Sequence, residues 1–337
     1  MTAATTTPTK KQSWWPLFWG LAALLFLPMG PPLNEVVPID QTLVLLVPAI
    51  AACAIVGWKL GGRAALAIVW LVFAGWILLQ PAGSPGTPYD QMARGWAILL
   101  AASFGLVSLW NATLPFFVRA LSAVGIATGV GFMIALSSPS GMARFQHAAQ
   151  SEFTKRSSAS LERIEAGRNT PQWRELAAKA PWLDAMQDEN EAIIRALPAH
   201  TAPLLPALLA LESLAALALG WAVYQRLSAG RIGPPLSPLT EFRFNDQLVW
   251  GVAVGATLCL LPTFTDGRSA GFNLLTFFGT LYLLRGLGVL AWIARGRYLV
   301  LGILSLIPPF GMMLGVLALA LGLGDTWLDL RRRAKAS

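Results

Sequence analysis

Long stretches without a charged side chain dominate the pattern of apolar and polar positions. No Asp, Glu, Lys or Arg occurs between Lys11 and Glu35, Asp40 and Lys59, or Arg63 and Asp90. The same holds between Arg94 and Arg119, Arg119 and Arg144, Asp246 and Asp266, and Arg297 and Asp325. A hydrocarbon layer about 30 Å thick is crossed by roughly 20 mostly apolar residues rising 1.5 Å each, and several of these runs have that length. The pattern therefore predicts an all-α, polytopic transmembrane helix bundle of about nine spans. They fall near 14–29, 42–58, 64–80, 93–110, 115–138, 202–224, 248–262, 273–294 and 298–323. Trp14, Trp15 and Trp19 suit an interfacial aromatic belt. Met29-Gly30-Pro31-Pro32 is a poor cleavage site, so the first run is expected to stay as a span rather than leave as a signal peptide.

Residues 139–200 break the pattern. Met142, Phe145, Ala149, Phe153, Leu161 and Ile164 recur at helical intervals on one side. A break follows at Gly167-Arg168-Asn169, and Thr170 before Pro171 reads as an N-cap and first-turn pair. Trp173, Leu176, Trp182, Leu183, Met186, Ile193, Ile194 and Leu197 supply apolar positions for one or two more helices. The organisation expected is thus a disordered cytoplasmic tail (1–13), a first transmembrane group (14–138) and an extramembrane amphipathic helical insert (139–200). A second transmembrane group (201–323) and a basic C-terminal tail (324–337) complete it.

Composition sharpens this reading. Charged residues make up 12% of the chain, about half the share of a soluble protein. The insert holds eight acids and eight bases, so the net charge of +8 resides entirely in the remainder. Bases flanking the spans then read as an orientation signal and as contacts to anionic headgroups, not as nucleic-acid binding. With the N-terminus cytoplasmic, Lys59, Arg63, Arg226, Arg231, Arg243, Arg295 and Arg297 fall inside, and the insert outside. Nine spans place the Arg331-Arg332-Arg333-Ala334-Lys335 run outside, against the same rule. An eight-span version, in which Pro308-Pro309 makes the last segment a re-entrant hairpin, places it inside.

A charge at the centre of a bilayer costs about 2.5–3.5 kcal/mol on insertion scales. Glu212 and Arg285 each stand alone near the middle of a predicted span. They are the intramembrane charged-pair candidates, read either as a substrate or proton site or as a structural ion pair fixing helix packing. Arg119 lies near the start of its span, where it can snorkel to headgroups. Pro308 and Pro309 interrupt the ninth span, a feature that lines polar cavities in transporters or merely kinks a helix. Asn273, at the start of the eighth span, completes the secondary candidates. Gly125/Gly129, Gly251/Gly255 and Gly311/Gly315 have the spacing of close helix contacts. Cys53 and Cys259 read as small buried hydrophobes, and His147 and His200 as solvated side chains.

No P-loop, HExxH or GxSxG is present. No catalytic residue, metal site or cofactor follows from the sequence, and enzyme chemistry is not expected. In the second half, Leu204-Leu205-Pro206-Ala207-Leu208 precedes a basic, Pro-rich loop and then Phe242-Arg243-Phe244-Asn245-Asp246-Gln247-Leu248-Val249-Trp250. Asn273-Leu274-Leu275 follows, then Tyr282 to Leu287, and a closing Gly322-Leu323-Gly324-Asp325-Thr326-Trp327-Leu328-Asp329-Leu330-Arg331. This order, over about residues 200–333, resembles the YybS-like family of bacterial predicted membrane proteins, a family without an assigned function. The resemblance implies a bacterial inner-membrane protein and supplies no catalytic residue. The function expected is a small-molecule transporter or substrate-binding membrane subunit. The alternative is a structural or assembly factor of the cell envelope that meets envelope proteins through residues 142–197.

Overall fold

The computed structural model describes residues 13–26, 33–80, 86–228, 233–261, 267–294, 302, 305, 308–329 and 331. Among them the chain is helical and contains no strand. The helices are α1 (Trp15–Phe26), α2 (Leu33–Val36), α3 (Ile39–Lys59), α4 (Ala64–Leu79), α5 (Pro88–Trp110) and α6 (Phe116–Leu136). Next come α7 (Gly141–Arg168), α8 (Pro171–Lys179) and α9 (Trp182–Thr201). The last are α10 (Leu205–Leu227), α11 (Val249–Leu260), α12 (Arg268–Ile293) and α13 (Pro308–Leu328). The expected tail 1–12, the run 332–337 and most of 298–307 lie outside the described residues, and with them the re-entrant alternative.

Among the described residues, six helical segments are long and apolar enough to cross a membrane: α3, α5, α6, α12, most of α13, and the segment Trp182–Leu227. Three further apolar segments, Trp15–Leu24, Ala64–Leu79 and Asp246–Leu260, are described over shorter lengths of 10–17 residues. The bundle is assembled around α3. Within its apolar window 78% of residues are buried, against 17% in the last helix, so α3 is the central post and α13 a peripheral one. Small side chains let neighbours close on it. A Cβ on Gly220 of α10 would meet Ala49 and Ile50 of α3, and one on Gly57 would overlap the Tyr224 ring.

Helices α3, α5, α10 and α12 run one way and α1, α4, α6, α11 and α13 the other. The insert caps the end at which α3 and α5 begin. Its helix α7 is not presented free of the bundle: Ala149 and Phe153 are fully buried, and the Phe153 ring meets Tyr89 of α5 edge-on at 6.4 Å. The expected break holds, with α7 ending at Arg168 and the Thr170 hydroxyl accepting from the Trp173 amide at 3.3 Å. Helix α9 passes through a single 3-10 turn, Ala202–Leu204, into α10, so 46 residues from Trp182 to Leu227 form one helical segment.

One expectation about the last helix changes. Pro308 and Pro309 are the first residues described of α13, and the expected interruption at them adjoins residues outside the described ones. That helix runs on to Leu328, five residues past the expected end, and carries Asp325 into the bundle. Of the glycine pairs, Gly125 and Gly129 face open space, whereas Gly251 and Gly255 pack on α12. The tightest glycine crossing is one the spacing rule did not single out. A Cβ on Gly286 would overlap the Ala318 carbonyl, and one on Gly322 the Tyr282 carbonyl, locking α12 to α13.

Candidate functional site

Glu212 and Arg285 do not meet. Their separation follows from a register set by Asn273. The Asn273 amide accepts from the Ala207 backbone N–H at 2.9 Å and donates to the Pro203 carbonyl at 2.7 Å. It therefore replaces one rung of the i→i−4 ladder where Pro203 and Pro206 start α10, and pins that point of α10 beside α12. Counting from this pin, Glu212 lies five residues along α10 and Arg285 twelve along α12. At 1.5 Å per residue the two stand roughly 10 Å apart in depth. Each has found other partners.

Glu212 is level with the first turns of α3 and α5 rather than at mid-bundle. One carboxylate oxygen accepts from Gln41 Nε2 at 2.6 Å and the other from Thr42 Oγ1 at 3.1 Å. Gln41 Oε1 in turn accepts from the Tyr89 hydroxyl at 2.7 Å. The carboxylate is 7% exposed and has no cation within ion-pair distance among the described residues. Next to it the Trp96 indole N–H donates to Ser213 at 2.9 Å, holding α5 to α10.

Above this group opens a cleft of about 270 Å³, bounded by α2, α3, α5 and α7. Its wall contains four acids (Glu35, Asp40, Asp90, Glu152) and four bases (Arg94, Lys155, Arg156, Arg163), with Tyr89 and Gln41 between them. Most are tied in place. Arg156 pairs with Glu152 at 3.0 Å, reaches the Glu35 carbonyl at 3.3 Å and lies 5.0 Å over the Tyr89 ring. Asp90 pairs with Arg94 at 2.9 Å. Glu35, 2% exposed, accepts from Ser160 and faces Arg163 at 4.0 Å. Asp40 is exposed at the rim.

Arg285 belongs to a second cluster. Its Nε donates to Asp325 at 3.0 Å, one terminal nitrogen reaches Asp246 at 2.7 Å, and the other the Asp325 carbonyl at 3.1 Å. Asp325 also accepts from Arg331 at 3.0 Å, and Arg331 donates to the carbonyls of Thr240 and Phe242. Arg243 joins through Asp329, whose hydrogen bond pushes its guanidinium further toward the charged form. Three arginines and three aspartates cancel. The cluster ties the segment before α11 and the end of α13 to α12, and leaves Arg285 no free charge for a ligand.

The remaining candidates are structural in their contacts. Arg119 does not snorkel. Its side chain is fully buried, donates to the carbonyls of Ala112 and Leu114 at 3.0 Å each, and lies 4.8 Å over the Trp221 ring. The carbonyls after α5 are within its reach, so it turns inward to them. Both histidines are exposed, Cys53 is buried and Cys259 half-buried. No group of three or more metal-ligating side chains occurs among the described residues.

Sequence reasoning missed Gln41, Thr42 and Tyr89, whose signal was polar residues placed at the starts of apolar runs. It missed Asp325 because the last span was ended too early. The motif segments behind the family resemblance converge in the second cluster: Arg243 and Asp246 from one, Asp325, Asp329 and Arg331 from another.

Helices long and apolar enough to cross a membrane, packed into one bundle, define a multi-pass helical membrane protein. Residues 179–326 match the model of a family described as predicted membrane protein (DUF2232), a family of unknown function. The match overlaps the stretch that carries the YybS-like resemblance. No curated protein and no solved structure matches the chain.

Proposed function

We propose that the protein is a membrane-embedded binding subunit or transporter for a small polar molecule, which it takes up in the cleft beneath α7. The observation that supports this is the cleft itself. It is a charged concavity of about 270 Å³ whose lining residue Gln41 bonds to Glu212 behind it, a buried carboxylate without a counter-ion among the described residues. That volume lies near the small end of ligand pockets, roughly 300–1,000 Å³. The balance of acids and bases on its wall suits a ligand carrying both charges. The bacterial inner membrane, a cytoplasmic N-terminus and a cleft facing outward belong to the same proposal.

The experiment is a thermal-unfolding screen of the full chain in lipid nanodiscs against a panel of small amino acids, amines and carboxylates. A ligand at a hundred times its Kd stabilises by about 2.7 kcal/mol, enough to raise the midpoint by several degrees. The shift should vanish in Arg156→Gln and persist in Arg285→Gln, whose unliganded midpoint falls. A panel that moves nothing, or a shift that survives Arg156→Gln, overturns the assignment.

A second reading, an assembly role, is favoured by one observation. Leu176, Trp182, Met186 and Ile193 on α8 and α9 are exposed, an apolar stripe on a segment that otherwise meets water. Site-specific photo-crosslinking at position 182 in cells tests it. A defined envelope-protein adduct supports assembly, and labelling of water or lipid alone removes the reading.

A further inference from the structure

The hydrogen bonds around Glu212 have a defined direction. As an ionised carboxylate Glu212 only accepts, so Gln41 must turn its NH₂ toward Glu212 and its carbonyl toward Tyr89, and Tyr89 must donate to Gln41. A proton on the carboxylate oxygen that faces Gln41 reverses this order. One on the oxygen that faces Thr42 leaves it in place, because the Thr42 hydroxyl can turn to the Pro38 carbonyl and accept. With the proton on the first oxygen, the new O–H donates to the Gln41 carbonyl, which requires the amide to turn by half a rotation. Gln41 then donates to the Tyr89 oxygen, and the Tyr89 O–H is released from its bond. Tyr89 is 6% exposed and lines the cleft, so its released hydroxyl becomes a donor there.

We propose that Glu212 is a proton-binding site whose state is relayed by the Gln41 amide to Tyr89. The cleft then takes an anionic oxygen group, a carboxylate or phosphate oxygen, together with a proton. The proton comes from water and stays on Glu212; no other bond forms or breaks. The amide is not a proton wire, because only its orientation changes. The Arg156 guanidinium over the Tyr89 ring makes that wall favourable to an anion. Coupling of this kind is reciprocal: bound anion raises proton affinity by the factor by which bound proton raises anion affinity.

The groups facing Glu212 do not mask its titration. From α3 they are Gln41 and Thr42, with Asp40 exposed at the rim; from α5, Tyr89, with Asp90 already paired to Arg94. From α7 they are Glu152 and Arg156, paired to each other. Helix α12 brings only Arg285, roughly 10 Å deeper and tied to Asp246 and Asp325.

The identity of the ligand rests on the reading of the cleft given above, but the proton site can be tested with protons alone. Infrared difference spectra of the full chain in nanodiscs, taken between alkaline and acidic buffer, should show a carboxyl C=O band that Glu212→Gln removes. A tyrosine C–O change should rise in step with it and vanish in Tyr89→Phe, while the carboxyl band remains. Thr42→Val removes one donor to the ionised carboxylate, so the band should appear at about tenfold lower proton concentration. This variant and Tyr89→Phe carry the test if Glu212→Gln does not fold. Spectra of Glu212→Gln identical to wild type, or a Thr42→Val band at the wild-type position, overturn the proton site. A carboxyl band without the tyrosine change overturns the relay. A failed ligand screen leaves these spectra unaffected, so the two proposals fail separately.

Discussion

At the scale of single residues, Glu212 and Arg285 look equivalent in the sequence, and each was legible as costly. What was not legible is their relative depth. Depth depends on the register between α10 and α12, which one amide, Asn273, sets by replacing a backbone rung. No spacing rule carries that information. The consequence is measurable. Arg285→Gln takes one of two close arginines from the buried Asp325, leaving Arg331, and should cost roughly 1–3 kcal/mol, read as the unfolding midpoint in detergent. Adding Asp325→Asn should return part of that loss, with a coupling of at least about 1 kcal/mol in a double-mutant cycle. The charge swap Glu212→Arg with Arg285→Glu should rescue neither single variant, because the two sites do not touch. Recovery by the swap would contradict the register.

At the scale of helices, the charge-free runs located α3, α4, α5 and α6 to within a few residues, because apolar length and flanking charges decide those limits. The last helix was ended too early for a physical reason. An aspartate reads as the aqueous end of an apolar run, yet Asp325, bonded to Arg285 and Arg331, is carried into the bundle. The closest helix contact was also hidden. Gly286 and Gly322 lie on different helices, so no GxxxG spacing links them. Gly286→Val or Gly322→Val should therefore cost about 1–3 kcal/mol or more through overpacking. Gly129→Val, which meets open space, should leave the unfolding midpoint near wild type. Equal effects at the three positions would show that α12 and α13 do not cross as described.

At the scale of the whole molecule, the insert was legible as helical and amphipathic, but its attachment was not. Its apolar face looked available for a partner, whereas the part on α7 is spent on the bundle itself. Phe153 is fully buried, so Phe153→Ala should cost about 3–5 kcal/mol. Trp182→Ala, on the exposed stripe, should leave stability within about 0.5 kcal/mol of wild type. Removal of residues 142–197 should therefore lower the unfolding midpoint of the remaining core, not leave that core intact.

The passage from α9 through one 3-10 turn into α10 has a mechanical meaning. A helical rod of 46 residues is roughly 70 Å long, and Glu212 sits partway down it, beside the pivot formed with α3. A tilt of about 5° there would swing the outer tip of α9, some 45 Å away, through about 4 Å. Whatever grips that tip holds the long arm of a lever, and the Gln41–Glu212 contact lies at its fulcrum.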